Sequence, residues 1–142
     1  MYPELMVVPM REELTRVGVQ EARTPDEVDA AIKEKKGTLM VVVNSICGCA
    51  AGKMRPAVRT ALQSAIKPDH SITVFAGQDL AATERAREYF TGQMSSSPSI
   101  AILREGKLAY FMPRSDIESR DAATIAASLK EAFEQVCQPT TN

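Results

Sequence analysis

The chain has 142 residues, of which 44% are hydrophobic and 25% charged, and its formal net charge is −1. A chain of this length can bury roughly 68–70% of its unfolded surface, so we expect a single domain over residues 1–142 whose core needs no disulfides. Acidic and basic residues are interspersed, which argues against nucleic acid or an anionic membrane as a partner.

The N-terminal part of the chain predicts two helices and a short strand. Apolar residues at helical spacing indicate a helix from Glu4 to about Val17, which Pro9 should shift or kink. The segment from Val19 to Ala22 is compatible with a short edge strand. Thr24-Pro25-Asp26-Glu27 has the pattern of a capping box with proline at the first helical position, so a second helix is expected to begin here.

Two cysteines lie where a predicted strand passes into a predicted helix. Thr38 to Asn44 is a continuous β-branched and apolar run, typical of a central strand covered on both faces. Cys47-Gly48-Cys49 follows it. A thiolate at a helix N-terminus meets unpaired N–H groups and the positive end of the helix dipole, which lowers its pKa below the free value of about 8.5. Gly48 allows a turn tight enough for both thiols to face one point.

Helices and strands continue to alternate after the thiols. The next helix contains Pro56, which removes a backbone donor and should bend it. Ser71 to Ala76 has the composition of a strand. Asp79 is placed to cap a helix running to about Phe90.

The C-terminal part predicts a hairpin and a final helix. Ser99 to Leu103 and Leu108 to Met112 flank a short turn containing glycine, the arrangement of a β-hairpin. Asp121 is expected to cap the last helix. That helix carries an apolar stripe: Ile125, Leu129, Phe133 and Val136.

Several roles for the cysteines are open at this point. A structural disulfide is disfavoured, because the chain has three cysteines and a Cys-x-Cys bridge closes a very short loop. Cys-x-Cys can chelate Zn²⁺ or Cu(I), but a closed site needs four ligands and the chain offers only Cys137 and His70 beyond the pair. His70 is expected in a surface turn. We therefore predict no metal and no cofactor, and we retain a non-catalytic thiol module that binds metal or senses oxidation as the alternative to an enzyme.

Other residues have weaker signals. Cys137 is expected near a frayed terminus, where an inert thiol is favoured over a resolving or regulatory one. Lys53 and Arg55 follow the cysteines and could steady a thiolate or attract carboxylates of a thiol substrate, although solvated surface charge is the default interpretation. The chain shows neither a secretory signal pattern nor an apolar run approaching about 18 residues, so we expect a cytoplasmic protein with no membrane partner, where thiols stay reduced.

The order of elements resembles the thioredoxin fold. A thiol motif follows a central strand, a proline falls inside the next helix, and Ser97-Pro98 precedes the hairpin. The resemblance implies an α/β thioredoxin-like fold with a central mixed sheet flanked by helices on both faces, plus an extra N-terminal helix. It also implies that Pro98 is cis and that Ser97 and Pro98 lie against the thiols and bind substrate.

Several blocks resemble the bacilliredoxin family, which are thioredoxin-like proteins with a Cys-Gly-Cys centre. The blocks are Leu5–Arg11, Val41–Gly52, Thr73–Asp79, Glu88–Gly92, Ser96–Ser99 and Phe111–Arg114. The resemblance implies a thiol–disulfide oxidoreductase that removes bacillithiol from protein mixed disulfides, with Cys47 attacking and Cys49 resolving. Implied partners are bacillithiolated or disulfide-containing proteins and a low-molecular-weight thiol, and glutathione or coenzyme A disulfides are not excluded as substrates.

The spacing of the thiols also predicts the redox behaviour of the pair. With one residue between the cysteines, their disulfide is geometrically constrained compared with that of Cys-x-x-Cys. Strain makes a disulfide easier to reduce, so we expect a comparatively oxidising couple. The chain departs from thioredoxin in that Ile46 is not aromatic and the strand Val41–Val43 carries no buried acid for proton transfer.

Overall fold

The computed structural model describes residues 1–34 and 36–137. A short π-helical segment joins the thiol loop to the third α-helix. In chain order the elements are α1 (Glu4–Thr15), β1 (Gln20–Glu21), α2 (Pro25–Glu34), β2 (Thr38–Asn44), the π-helical segment (Ala50–Met54), α3 (Arg55–Ala61), β3 (His70–Phe75), α4 (Leu80–Glu88), β4 (Ser99–Arg104), β5 (Lys107–Met112), α5 (Arg114–Glu118) and α6 (Ala122–Val136).

The five strands form one mixed sheet in the order β1-β3-β2-β4-β5. Strands β1, β3 and β2 are parallel, whereas β4 is antiparallel to both β2 and β5. The pairing of Val43 with Ser99 sets the position of Pro98 relative to the end of β2. Because the two strands run in opposite directions, Pro98 lies beside Asn44, at the end of β2 that leads to the cysteines.

Helices cover both faces of the sheet, as expected. Strand β2 is buried along its whole length, and its alternate residues enter two separate cores. Met40 and Val42 pack with the π-helical segment, α3 and α6. Leu39, Val41 and Val43 pack with α2 and α4. Each large apolar side chain buried in this way contributes roughly 1.5–3 kcal/mol, so hydrophobic burial on both faces holds β2 and the loop after it in place.

The predicted elements before the thiols are confirmed, with small shifts. Helix α1 begins at Glu4 with Pro9 inside it and ends at Thr15, and the edge strand is reduced to two residues. The capping box forms with a shifted second bond: the Glu27 N–H donates to Thr24 Oγ1 at 3.2 Å, but the Glu27 carboxylate accepts from the N–H of Arg23, one residue before Thr24, at 3.1 Å.

The interruption expected at Pro56 takes the form of a wider turn. The π-helical segment ends at Met54, and α3 begins at Arg55, so Pro56 lies in the first turn of α3. A proline here lacks the N–H for a regular helical bond and clashes with the carbonyl four residues earlier, and a π-turn relieves both problems.

The prediction for the Asp79 side chain is wrong. Asp79 occupies the N-cap position of α4, but its carboxylate makes no capping hydrogen bond. It accepts instead from both terminal nitrogens of Arg11, at 2.8 and 2.9 Å, and from the Phe75 N–H at 3.2 Å. A guanidinium offers two charge-assisted hydrogen bonds, more than a helix cap supplies. The pair attaches α1 to the end of β3.

The hairpin and the capped final helix are confirmed: the Thr124 N–H donates to Asp121 Oδ1 at 2.8 Å. Helix α5, which lies in the connection from β5 to α6, was not predicted from the sequence. The placement of His70 in a turn is wrong, since His70 is the first residue of β3 and pairs with Leu39.

Candidate active site

Cys47 lies at the start of the helical region that follows β2, as predicted. Its carbonyl accepts from the N–H groups of Ala50 and Ala51, at 3.0 and 3.2 Å, which closes the first turn. Its own N–H donates to Ser45 Oγ at 3.1 Å. Both Cys47 and Cys49 are free thiols and partly exposed. The sequence therefore places a reachable sulfur at a helix start.

The pKa values of the two thiols of the pair are shifted in opposite directions. Burial alone would raise the pKa of Cys47, but hydrogen bonds from the Cys49 thiol, the Ala50 N–H and the Ser45 hydroxyl outweigh it, and its pKa lies below the ordinary value. The pKa of Cys49 is raised, first by its hydrogen bond to Cys47 and then by burial. Cys47 is thus the more readily ionised thiol of the pair, and Cys49 is the donor in the hydrogen bond between them.

The expected cis-proline is confirmed, because the Ser97–Pro98 peptide bond is cis. Pro98 is buried, while Ser97 is partly exposed. The pairing of Ser99 with Val43 places this loop next to the loop that carries the thiols.

Helix α5 adds two charged residues to the site, Arg114 and Glu118, and neither was predicted as a site residue from the sequence. Arg114 Nη1 donates to the Ser97 carbonyl at 3.2 Å, and Arg114 Nε is paired with the Glu118 carboxylate. The attraction of Arg114 lowers the pKa of Cys49 and partly offsets the effects that raise it. The sequence signal that could have indicated Arg114 is the Phe111–Arg114 block, which resembles the bacilliredoxin family and ends at this residue.

The two cations proposed from sequence are structural supports. Arg55 is 2% exposed, so the interpretation as solvated surface charge is wrong for it. Its Nη1 donates to Asn44 Oδ1 and to the Ser45 carbonyl, both at 2.9 Å, and its Nε pairs with Glu13 at 3.1 Å. Lys53 Nζ donates to the Glu118 carbonyl at 2.6 Å. Arg55 thus holds the loop before Cys47, and Lys53 joins the thiol helix to α5.

Cys137 lies at the far end of the sheet from the pair. Its thiol hydrogen-bonds to the side chain of Thr38, the first residue of β2, whereas Cys47 follows the last. A strand rises about 3.3 Å per residue, so the two ends of β2 are roughly 20 Å apart. Cys137 is therefore too far away to resolve a mixed disulfide on Cys47 within one chain.

Neither a metal cluster nor a membrane-spanning helix is found in the part of the chain that the structure describes. Over residues 1–34 and 36–137, no group of three or more His, Cys, Asp and Glu side chains is arranged to hold a metal ion. In the same part of the chain, no helix combines the length and apolar character needed to cross a bilayer.

Solved thioredoxins share this fold. Thioredoxin from Plasmodium falciparum superposes with a TM-score of 0.60 at 16% identity, covering 84% of this chain and 99% of that one. Thioredoxin from Malassezia sympodialis gives 0.58 at 13% identity, covering 84% and 91%. These structures show that the chain has the thioredoxin fold, which here carries two neighbouring thiols after its central strand.

Similarity in sequence identifies the family to which the chain belongs. The family model described as disulphide isomerase matches residues 2–137. A bacilliredoxin of Koribacter versatilis is 64% identical over 140 residues, 99% of this chain and 97% of that protein. A bacilliredoxin of Salinibacter ruber is 54% identical over 138 residues, 96% of this chain and 81% of that protein. The chain belongs to the bacilliredoxin family and is a thiol–disulfide oxidoreductase, so protein disulfides or thiols are its substrates.

Proposed function

We propose that the protein removes bacillithiol from mixed disulfides on other proteins, with Cys47 as the attacking thiolate and Cys49 as the resolving thiol. The observation that carries this assignment is the contrast between two touching thiols, since the pKa of Cys47 is lowered and that of Cys49 is raised. Exchange needs one thiol ionised and the other held back as its neutral partner. The choice of bacillithiol rests on the names of the relatives.

The first step transfers bacillithiol to the enzyme. The Cys47 thiolate donates an electron pair to the bacillithiol sulfur and forms a new S–S bond. The bond between bacillithiol and the substrate protein breaks, and the protein cysteine leaves as a thiolate. The Ala50 N–H and the Ser45 hydroxyl support the charge on Cys47 before the attack.

The second step releases bacillithiol. Cys49, which is partly exposed, loses its proton to solvent and attacks Cys47 Sγ. Bacillithiol leaves as a thiolate, and a Cys47–Cys49 disulfide remains for an external thiol to reduce. The hydrogen bond to Cys47 and the charge on Cys47 both raise the pKa of Cys49. Both effects end once Cys47 is in the mixed disulfide, so Cys49 becomes more acidic at the stage where it must attack.

Ser97 and Pro98 are proposed to bind the substrate protein. Ser97 is partly exposed, and the pairing of Ser99 with Val43 places its loop next to the thiol loop. An extended substrate segment could pair with the Ser97 backbone, while the buried Pro98 ring supports the loop. We assign the reaction to the cytoplasm, where free thiols stay reduced.

The test uses the Cys49→Ala variant with a bacillithiolated donor protein. We expect intact mass spectrometry to show one bacillithiol on Cys47 and a donor freed of it, because the mixed disulfide can no longer be resolved. Cys47→Ala should leave the donor unchanged, whereas Cys137→Ala should behave as the parent does. If Cys49→Ala acquires no adduct and the donor stays modified, the proposed function is wrong.

A parallel reaction with a glutathionylated donor tests the choice of thiol. If bacillithiol is the natural group, its removal should be faster than that of glutathione at equal donor concentration. Equal or faster removal of glutathione would leave the exchange activity in place but contradict the choice of bacillithiol.

A further inference from the structure

Arg114 lies between the cis-proline loop and the helix that carries the thiols. Its Nη1 donates to the Ser97 carbonyl at 3.2 Å, and its backbone N–H donates to Ser96 Oγ at 3.2 Å. At the other end of α5, Lys53 from the π-helical segment donates to the Glu118 carbonyl at 2.6 Å. Both ends of α5 are thereby attached to the site, which fixes the guanidinium beside the place where a disulfide must bind.

Electrostatic interactions link Arg114 to both sulfurs. Its own pKa is raised, first by the hydrogen bond to Glu118 and then by attraction to Cys47. The same guanidinium lowers the pKa of Cys49. A substrate sulfur in contact with Cys47 would therefore lie within the positive potential of Arg114.

Two other cations near the pair, Arg55 and Lys53, are already hydrogen-bonded to groups of the protein. Arg55 is buried on Asn44, Ser45 and Glu13, and Lys53 is bound to a main-chain carbonyl. The Arg114 side chain is 43% exposed, and its carboxylate partner Glu118 is 50% exposed. An exposed ion pair of this kind is weak, so a second carboxylate can share or replace Glu118 at little cost.

We propose that Arg114 binds a carboxylate of the low-molecular-weight part of the disulfide, so that the site prefers mixed disulfides with negative charge close to the reacting sulfur. A guanidinium presents a planar fork of donors that matches a carboxylate, and the carbonyl of Ser97 orients that fork. Glu118 competes for the same donors and keeps them occupied between turnovers. This inference rests on the proposed function and adds its substrate class.

The experiment compares an anionic and a neutral disulfide in a Cys49→Ala background. The anionic reagent is oxidised glutathione and the neutral reagent is hydroxyethyl disulfide. In each case the Cys47 thiolate attacks one sulfur, half of the reagent stays on Cys47, and the other half leaves as a thiolate that can be quantified. The ratio of the two rate constants is the readout, because a change in the pKa of Cys47 affects both reactions alike and largely cancels.

The expected results are opposite for the two members of the ion pair. Arg114→Gln should lower the ratio about fivefold, the upper range of an exposed charge interaction. Glu118→Gln should raise it about twofold, since it removes the competitor. Arg114→Lys should retain part of the preference, and salt should weaken it in the parent. Arg120→Gln is the matched control, an arginine 38% exposed near Asp116, and should leave the ratio unchanged.

The outcomes separate this inference from the proposed function. If Arg114→Gln slows both reagents equally, or leaves the ratio at the parental value, the carboxylate-binding role is overturned while exchange at Cys47 stands. If neither reagent forms a mixed disulfide with Cys47, the proposed function fails, and the inference fails with it.

Discussion

Cys47 and Cys137 lie at opposite ends of β2, and each is next to the end of a helix. Cys47 is at a helix start, where hydrogen bonds outweigh burial and lower its pKa. Cys137 is at the end of α6, where burial raises its pKa by more than its hydrogen bond to the Thr38 side chain lowers it. Both thiols are partly exposed. The comparison shows that the balance between hydrogen bonds to the sulfur and burial shifts the pKa values of two partly exposed thiols in opposite directions.

The largest expected effect comes from removing each thiol in turn. Cys47→Ala should reduce disulfide exchange to the background rate, a loss of at least about 10³-fold, because the covalent route disappears. Cys137→Ala should keep the parental rate. Stopped-flow assays of exchange on a disulfide substrate measure both. Substantial residual exchange by Cys47→Ala would contradict the assignment of the reactive end.

The second prediction concerns the buried support of the Cys47 loop. Arg55→Met should lower the free energy of unfolding by about 3 kcal/mol, because Asn44 Oδ1 and the Ser45 carbonyl lose their buried donor. The rate of Cys47 alkylation near neutral pH should fall as well. Urea unfolding and iodoacetamide kinetics are the measurements, and Arg59→Met, at an exposed position of the same helix, is the control. An unchanged urea midpoint would sink the prediction.

The third prediction concerns the potential of the Cys47–Cys49 couple. The short loop constrains its disulfide, so we expect a value at least about 30 mV more oxidising than that of thioredoxin, near −270 mV, or roughly 1.4 kcal/mol. Equilibration with redox buffers measures it. Inserting one residue after Gly48 should make the couple more reducing, whereas Cys137→Ala should not change it. A potential as low as that of thioredoxin would refute the argument from loop strain.

The smallest effect is an opposite pH dependence of stability at the two ends. The lowered pKa of Cys47 contributes stability that is present above the unfolded pKa, about 8.5 for a free cysteine, and is lost as the pH falls through the folded pKa. The raised pKa of Cys137 contributes stability that is present below the unfolded pKa and is lost as the pH rises through the folded pKa.

Urea unfolding of the parent and of Cys137→Ala at pH 7 and pH 10 measures the contribution of Cys137. Cys137→Ala should lose less stability than the parent between the two pH values, because the raised pKa is removed with the thiol. An equal or larger loss in Cys137→Ala would contradict the raised pKa at this helix end.

Elements with strong local signals were predictable. The unbroken apolar run from Thr38 to Asn44 forms β2 with the predicted bounds. Thr24 and Asp121 cap the helices whose starts they predicted. Helix α5 was missed because its five residues are too few for a hydrophobic period to show. The capping role of Asp79 failed because Arg11, distant in sequence, offers its carboxylate stronger partners.

The sequence by itself determined where the longer strands and helices lie and that two thiols follow the central strand at a helix start, because hydrophobic period, caps and helix starts are local properties. The tertiary structure alone decided which distant residues lie near those thiols and which do not. It buried Arg55 under the loop, placed Arg114 on the Ser97 carbonyl and set Cys137 at the other end of β2. Such contacts depend on strand order and helix packing, which join residues that no local pattern connects.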